Sequence, residues 1–124
     1  MRLRWLDDVE EHDYGAALEY LTLKLDKARA ESMVEALRAL PAPELRRAND
    51  ILRACGLPPL PRSDPGVSKH LTKDGSRKPL SPVLVVSFDD GGDIADGYHR
   101  VSVAYQLDPY ALVPARIAAV SRGS

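Results

Sequence analysis

The chain has 124 residues, of which 44% are hydrophobic and 28% charged, and this composition is typical of one globular domain rather than a disordered chain. Its formal net charge is −1, whereas proteins that bind nucleic-acid phosphates usually carry an excess of basic residues. We therefore do not expect general nucleic-acid binding. The one cysteine, Cys55, excludes a disulfide within the chain and favours a reducing compartment.

The start of the chain indicates no secretion or membrane signal. It turns acidic at Asp7-Asp8, where a signal peptide would need an apolar stretch. The longest apolar run, residues 82–86, is far too short to span a bilayer. We therefore expect a cytoplasmic protein without membrane contact.

Residues 14–40 carry the pattern of two amphipathic helices. Apolar side chains recur there at spacings of three and four residues, which places one apolar stripe on each helix. Asp13 is the expected N-cap of the first helix, the break between the helices is expected near residues 26–28, and Pro41 and Pro43 end the second. Packing into the core is the expected role of the stripes, and a dimer interface on these helices is the alternative.

Residues 44–56 fit two interpretations. Their apolar spacing fits one helix that stops at Gly56, but the segment also fits a short strand followed by a one-turn helix. Cys55 is expected to be a buried hydrophobe without an activating base. A proline-rich connector follows, and Asp64-Pro65 is the expected start of a short helix over Val67–Thr72.

The last third of the chain predicts a small sheet with one helix. Residues 82–88 read as a strand, and their apolar run 82–86 is typical of a strand buried on both faces. Residues 89–92 form a hairpin turn, residues 93–95 a return strand, and residues 113–120 a closing strand after a helix that Asp108-Pro109 stops. We therefore predict an α+β fold with N-terminal helices followed by a small mixed β-sheet.

The step from strand to helix at Asp96–Arg100 is the candidate functional site. A helix N-terminus carries free amide donors and the positive end of the helix dipole, which together suit an anion. Gly97 allows a ligand to approach the backbone, and His99 and Arg100 add side-chain donors in the first turn. This pattern predicts a phosphate site.

Several segments in this order resemble the core of the ParB/sulfiredoxin superfamily. They are Leu80–Val85, Asp96–Arg100, Ala104-Tyr105 and Val113–Ile117, with a weaker likeness at Asn49–Arg53 and Leu57-Pro58. The likeness covers about residues 43–121 and leaves residues 1–42 as a helical N-terminal extension. The whole chain also looks like a group of bacterial proteins, a likeness that adds no function.

The resemblance implies nucleotide phosphates at the Gly97 turn. Sulfiredoxins bind ATP and ParB proteins bind CTP, so the implied ligand is ATP or CTP with Mg²⁺. Tyr98 stands where sulfiredoxins carry their reactive cysteine, so the resemblance does not imply sulfiredoxin chemistry. Amino-acid kinases of the same fold carry a similar turn, which implies phosphotransfer or NTP hydrolysis as candidate activities. Arg53 matches an arginine near the family's phosphate site.

Each residue of the turn has a functional and a structural interpretation. Asp96 is either the helix N-cap or a Mg²⁺ ligand and general base. Arg100 either binds phosphate or pairs with Asp93 or Asp96, and His99 is either an acid–base group or a structural imidazole. Tyr98 is expected to pack rather than to stack on a base.

Three functions follow from these observations. The leading hypothesis is a nucleotide- or phosphate-binding domain with phosphotransfer or NTPase activity, held by Gly97, Tyr98, His99 and Arg100. The second is a non-catalytic interaction or dimerisation module built on the N-terminal helices. The third, a toxin or effector component, rests only on the range of uses of the fold.

Overall fold

The computed structural model describes residues 2–119. Within them the chain forms five α-helices and one four-stranded sheet, so the predicted α+β class is confirmed. The predicted ends at residues 120 and 121 lie outside this range. The elements in chain order are α1 (Glu11–Leu21), α2 (Lys27–Ala39), β1 (Glu44–Arg47), α3 (Ala48–Ala54), α4 (Pro65–Ser68), β2 (Val83–Phe88), β3 (Gly91–Asp96), α5 (Tyr98–Leu107) and β4 (Leu112–Ala119).

The sheet is mixed, as the sequence predicts. Its strand order is β1-β4-β2-β3, with β4 parallel to β2 and antiparallel to β1, and with β2 and β3 joined as an antiparallel hairpin. The central strand β2 is buried along almost its whole length, which explains the apolar run Val83–Val86. The predicted hairpin turn at residues 89–92 is confirmed, with β3 already beginning at Gly91.

Helices cover both faces of the sheet. On one face α1 and α2 pack against Leu84 and Val86 of β2, and Leu21 and Leu37 are fully buried there. On the other face α3 and α5 pack against Val83 and Val85. The apolar stripes of the first two helices therefore form the core. Neither Leu21 nor Leu37 reaches the surface, so these two side chains are not available to a dimer interface.

The first forty residues share this core with the sheet. Leu80 forms an isolated parallel bridge with Trp5, and its carbonyl accepts a hydrogen bond of 2.8 Å from the amide of Leu6. On β4 the guanidinium of Arg116, only 4% exposed, bonds Asp8 at 2.7 and 2.9 Å. It also donates to the Leu37 and Leu40 carbonyls at the end of α2. The expected boundary at residue 42 thus does not coincide with a break in packing.

Two helices begin at aspartates that cap them. The Asp26 side chain caps α2 by accepting a hydrogen bond of 2.9 Å from the amide of Arg29. Asp64 caps α4 through the amides of Gly66 and Val67, although the helix is shorter than expected. Residues 44–56 form a strand and then a helix, as one of the two interpretations required.

Asp13 is not the N-cap of α1. The helix begins at Glu11, one turn earlier than expected, and Glu10 stands at the N-cap without a side-chain cap bond. Asp13 lies inside the first turn and is only 3% exposed, because its carboxylate is paired with a distant arginine described below.

Within residues 2–119 no helix combines the length and the apolarity that crossing a bilayer requires.

Candidate functional site

The turn between β3 and α5 depends on Gly97. Its backbone has φ 114° and ψ 17°, a left-handed conformation that residues with a side chain rarely adopt. A Cβ atom at this position would lie 2.5 Å from the Cγ1 atom of Val83 and 2.8 Å from an Arg100 nitrogen. Only glycine therefore allows β3 to reverse into α5 this close to β2.

A shallow cleft of about 290 Å³ opens at the first turn of α5. Among the described residues no side chain caps the amides of this turn, so the partial positive charge of the helix start lies at the cleft. The opposite wall comes from α4 and the residues after it. The lining residues are Gly66, Lys69, His70, Asp96, Gly97, Tyr98, His99 and Arg100.

Asp96 does not cap the helix. Gly97 occupies the N-cap position, and the Asp96 carboxylate instead accepts a hydrogen bond of 3.0 Å from an Arg100 nitrogen. The capping interpretation is wrong because the guanidinium, one turn ahead on the same face, attracts the carboxylate away from the amides. Burial raises the pKa of Asp96 above its ordinary value, although the charge of Arg100 opposes the shift and nearby Asp13 adds to it.

Arg100 lies between two carboxylates. One terminal nitrogen is 3.0 Å from Asp96 and the other is 3.0 Å from Asp13, whose side chain is only 5% exposed. The expected pairing with Asp96 is confirmed. Pairing with Asp93 is not seen, since Asp93 accepts a hydrogen bond from Tyr20 and lies beside Lys24. Arg100 thus lines the cleft while it ties α1 to α5.

His99 and Tyr98 have different environments. The His99 ring lies against Gly66, with its Nε2 atom 3.4 Å from Asp64, and more than half of the side chain is exposed. The Tyr98 hydroxyl donates a hydrogen bond of 2.5 Å to the carbonyl of Pro58, and the ring packs against the core. The expectation that Tyr98 packs is confirmed, while His99 remains accessible.

Lys69 and His70 complete the cleft from the opposite wall. Lys69 is exposed, and no carboxylate of the described residues lies within ion-pair distance of its amine. Burial, with a contribution from Lys69, lowers the pKa of His70, so this imidazole is neutral at physiological pH. The local sequence does not place Lys69 or His70 at this cleft, because nothing in it shows that the segment after α4 faces α5.

Arg53 and Cys55 lie outside the cleft. Arg53 is exposed on α3, pairs with Asp50 at 3.7 Å and does not line the cleft, so the structure does not bring it to Gly97. Burial raises the pKa of the Cys55 thiol to about 11, which keeps it protonated and unreactive at neutral pH.

The residues do not provide a ready metal site. Among residues 2–119 no group of three or more histidine, cysteine or carboxylate side chains is placed to hold a metal ion. A Mg²⁺ ion at Asp96 would therefore depend on ligand phosphates for most of its coordination, which is a common arrangement for this ion.

No family model, curated protein or solved structure matches this chain. The ParB/sulfiredoxin resemblance therefore stays a prediction from the sequence, and the site has to be judged on its own geometry.

Proposed function

We propose that the cleft at the start of α5 binds the phosphate groups of a small ligand, with a nucleoside triphosphate such as ATP or CTP as the favoured class. This is the activity that the ParB/sulfiredoxin resemblance implies. We infer a cytoplasmic setting from the single cysteine.

The observation that carries the proposal is that a helix N-terminus and a lysine line opposite sides of the same small cleft. One side is the uncapped first turn of α5, a helix of ten residues. The amides of this turn suit phosphate oxygens. The other wall carries the unpaired amine of Lys69. Arg100 adds two guanidinium donors, but its charge is balanced by the carboxylates of Asp96 and Asp13, so Lys69 is the cation that carries the proposal.

The size of the cleft favours the phosphate chain over the whole nucleotide. At about 290 Å³ it is near the lower limit of about 300–1,000 Å³ for pockets that enclose drug-sized ligands. Two or three phosphates would fill it, and the nucleoside would lie at the open rim beside His99. Affinity should then come mainly from the phosphates and fall with added salt.

Two groups are placed to support phosphotransfer or hydrolysis. Asp96 has a raised pKa, and a carboxyl of this kind in a cleft is a candidate general base or Mg²⁺ ligand. The imidazole of His99 is exposed at the same rim, where it is placed to act as a proton donor or acceptor. Both roles belong to the proposal.

Calorimetry with pyrophosphate, ATP and CTP, each with Mg²⁺, tests this function. We expect saturable binding that Lys69→Ala weakens about tenfold, or by about 1.4 kcal/mol, because one unpaired cation is lost from the cleft. Lys27→Ala is the matched control, since Lys27 is an exposed lysine on α2 that pairs with Glu31. Phosphate release in the same samples separates binding from hydrolysis.

The choice of Lys69 avoids a folding artefact. Arg100→Ala would also remove the partner of the buried Asp13, so a loss of binding there would be ambiguous. If folded wild-type protein gives no binding heat with any of the three ligands, the uncapped turn is structural and the proposal is wrong.

A further inference from the structure

Strand β1 forms an open edge of the sheet. In the described part of the chain it pairs only with β4, and all four of its residues are exposed. Leu45 is 61% exposed at the middle of this strand. An edge with free backbone groups and an exposed leucine is a template for pairing with another strand.

The register shows which backbone groups are free. The amide of Ala48 donates a hydrogen bond of 2.9 Å to the carbonyl of Ala111. These two residues are the next opposed pair after Arg47 and Leu112, so they form a hydrogen-bonded pair of the antiparallel ladder. Hydrogen-bonded pairs alternate along an antiparallel ladder, so Leu45 directs its N–H and C=O away from β4. The residue opposite Leu45 on β4 is Pro114, which has no N–H and could not donate to the Leu45 carbonyl. The register and the proline therefore give the same orientation for Leu45.

The charges on β1 select one way of pairing it with itself. Two identical strands related by a two-fold axis normal to the sheet place one residue opposite its own copy, with opposed side chains on the same face. Centring the axis on Glu44, Arg46 or Arg47 opposes like charges. Centring it on Leu45 opposes two leucines and sets each Glu44 against Arg46 of the second copy.

We propose that β1 is the interface with a second copy of this chain, joined antiparallel about Leu45 into one continuous sheet. The Arg46 guanidinium already lies 2.9 Å from Glu44, so both charges are on one face and can exchange partners across the junction. Leu112 lies opposite Arg47, on the same face as Leu45, and is 54% exposed. It adds apolar area beside the leucine pair.

Sedimentation equilibrium over a wide concentration range tests the interface. We expect a monomer–dimer equilibrium in the wild type, and at least about tenfold weaker association in Leu45→Glu, which opposes two carboxylates at the axis. Leu23→Glu is the matched control, because Leu23 is 83% exposed after α1 and far from β1 in the chain. Both sites are exposed, so folding, checked by circular dichroism, should be retained.

A charge reversal tests the register independently. Glu44→Arg alone sets arginine against arginine and should weaken the dimer, while Glu44→Arg combined with Arg46→Glu should restore it. A wild type that stays monomeric at every concentration overturns the interface. So does a dimer that Leu45→Glu leaves unchanged, and a double variant as weak as the single one overturns the register.

Discussion

At the scale of single residues, the turn before α5 depends on a backbone conformation that only glycine adopts without strain. We expect Gly97→Ala to lower the free energy of unfolding by roughly 1–3 kcal/mol, the usual cost of a side chain at positive φ. The clash with Val83 acts in the same direction. Urea unfolding followed by circular dichroism measures the change.

Gly15→Ala is the control for this substitution. Gly15 is an exposed residue inside α1, with nothing within 4 Å of an added Cβ atom. Alanine there should raise stability by up to about 1 kcal/mol, because it favours the helix. Equal effects of the two substitutions would show that Gly97 is not special.

Residue-level roles at the site were only partly visible in the sequence. The motif itself located the turn, because glycine before a helical stripe is a local signal. The ion pair of Arg100 with Asp13 could not be predicted, because the two residues are 87 positions apart in the chain. The same holds for Lys69 and His70, whose place in the cleft depends on how α4 packs beside α5. Local chemistry is readable from the sequence, while long-range pairing is not.

At the scale of elements, the bond network of Arg116 joins the N-terminal segment, α2 and β4. Its guanidinium lowers the pKa of Asp8 below the ordinary value of 3.8. A carboxyl with a lowered pKa in the folded state stabilises the protein above its unfolded-state pKa. That contribution disappears as the pH falls through the lowered value.

This linkage predicts the pH dependence of an Asp8→Asn variant. At pH 7 we expect it to be less stable than the wild type, by less than about 1 kcal/mol because Asp8 is half exposed. The difference should shrink as the pH falls below about 4, where the wild-type carboxylate also becomes neutral. Urea unfolding at both pH values measures it, with exposed Asp7→Asn as control. A difference that stays constant with pH would mean that Asp8 acts through packing.

Elements were the most predictable level of this structure. Apolar spacing predicted α1 and α2, and the apolar run predicted β2, because each pattern reflects which faces are buried. The segment 44–56 stayed ambiguous because β1 has no buried residue, so its four residues carry no alternation to read. Its strand conformation comes from pairing with β4, which the local sequence does not encode.

At the scale of the whole molecule, the arrangement of the helices on the sheet decides whether the first 42 residues are an extension. The sequence separates them because the resemblance begins near residue 43. In the structure their apolar side chains form one core cluster together with Leu84 and Val86 of β2. Without these residues, Arg116 would also lose Asp8 and the carbonyls of Leu37 and Leu40.

A chain beginning at residue 43 should therefore not fold by itself. Without α1 and α2, one face of the sheet would be open to water and the buried guanidinium of Arg116 would have no partner, a combination that a domain of this size does not tolerate. We expect no cooperative urea transition and poor dispersion of amide signals in NMR spectra. Adding residues 1–42 as a separate peptide should restore both, since it supplies the missing half of the core. A shortened chain that unfolds cooperatively by itself, with the midpoint of the full chain, would show that residues 43–119 are an independent domain.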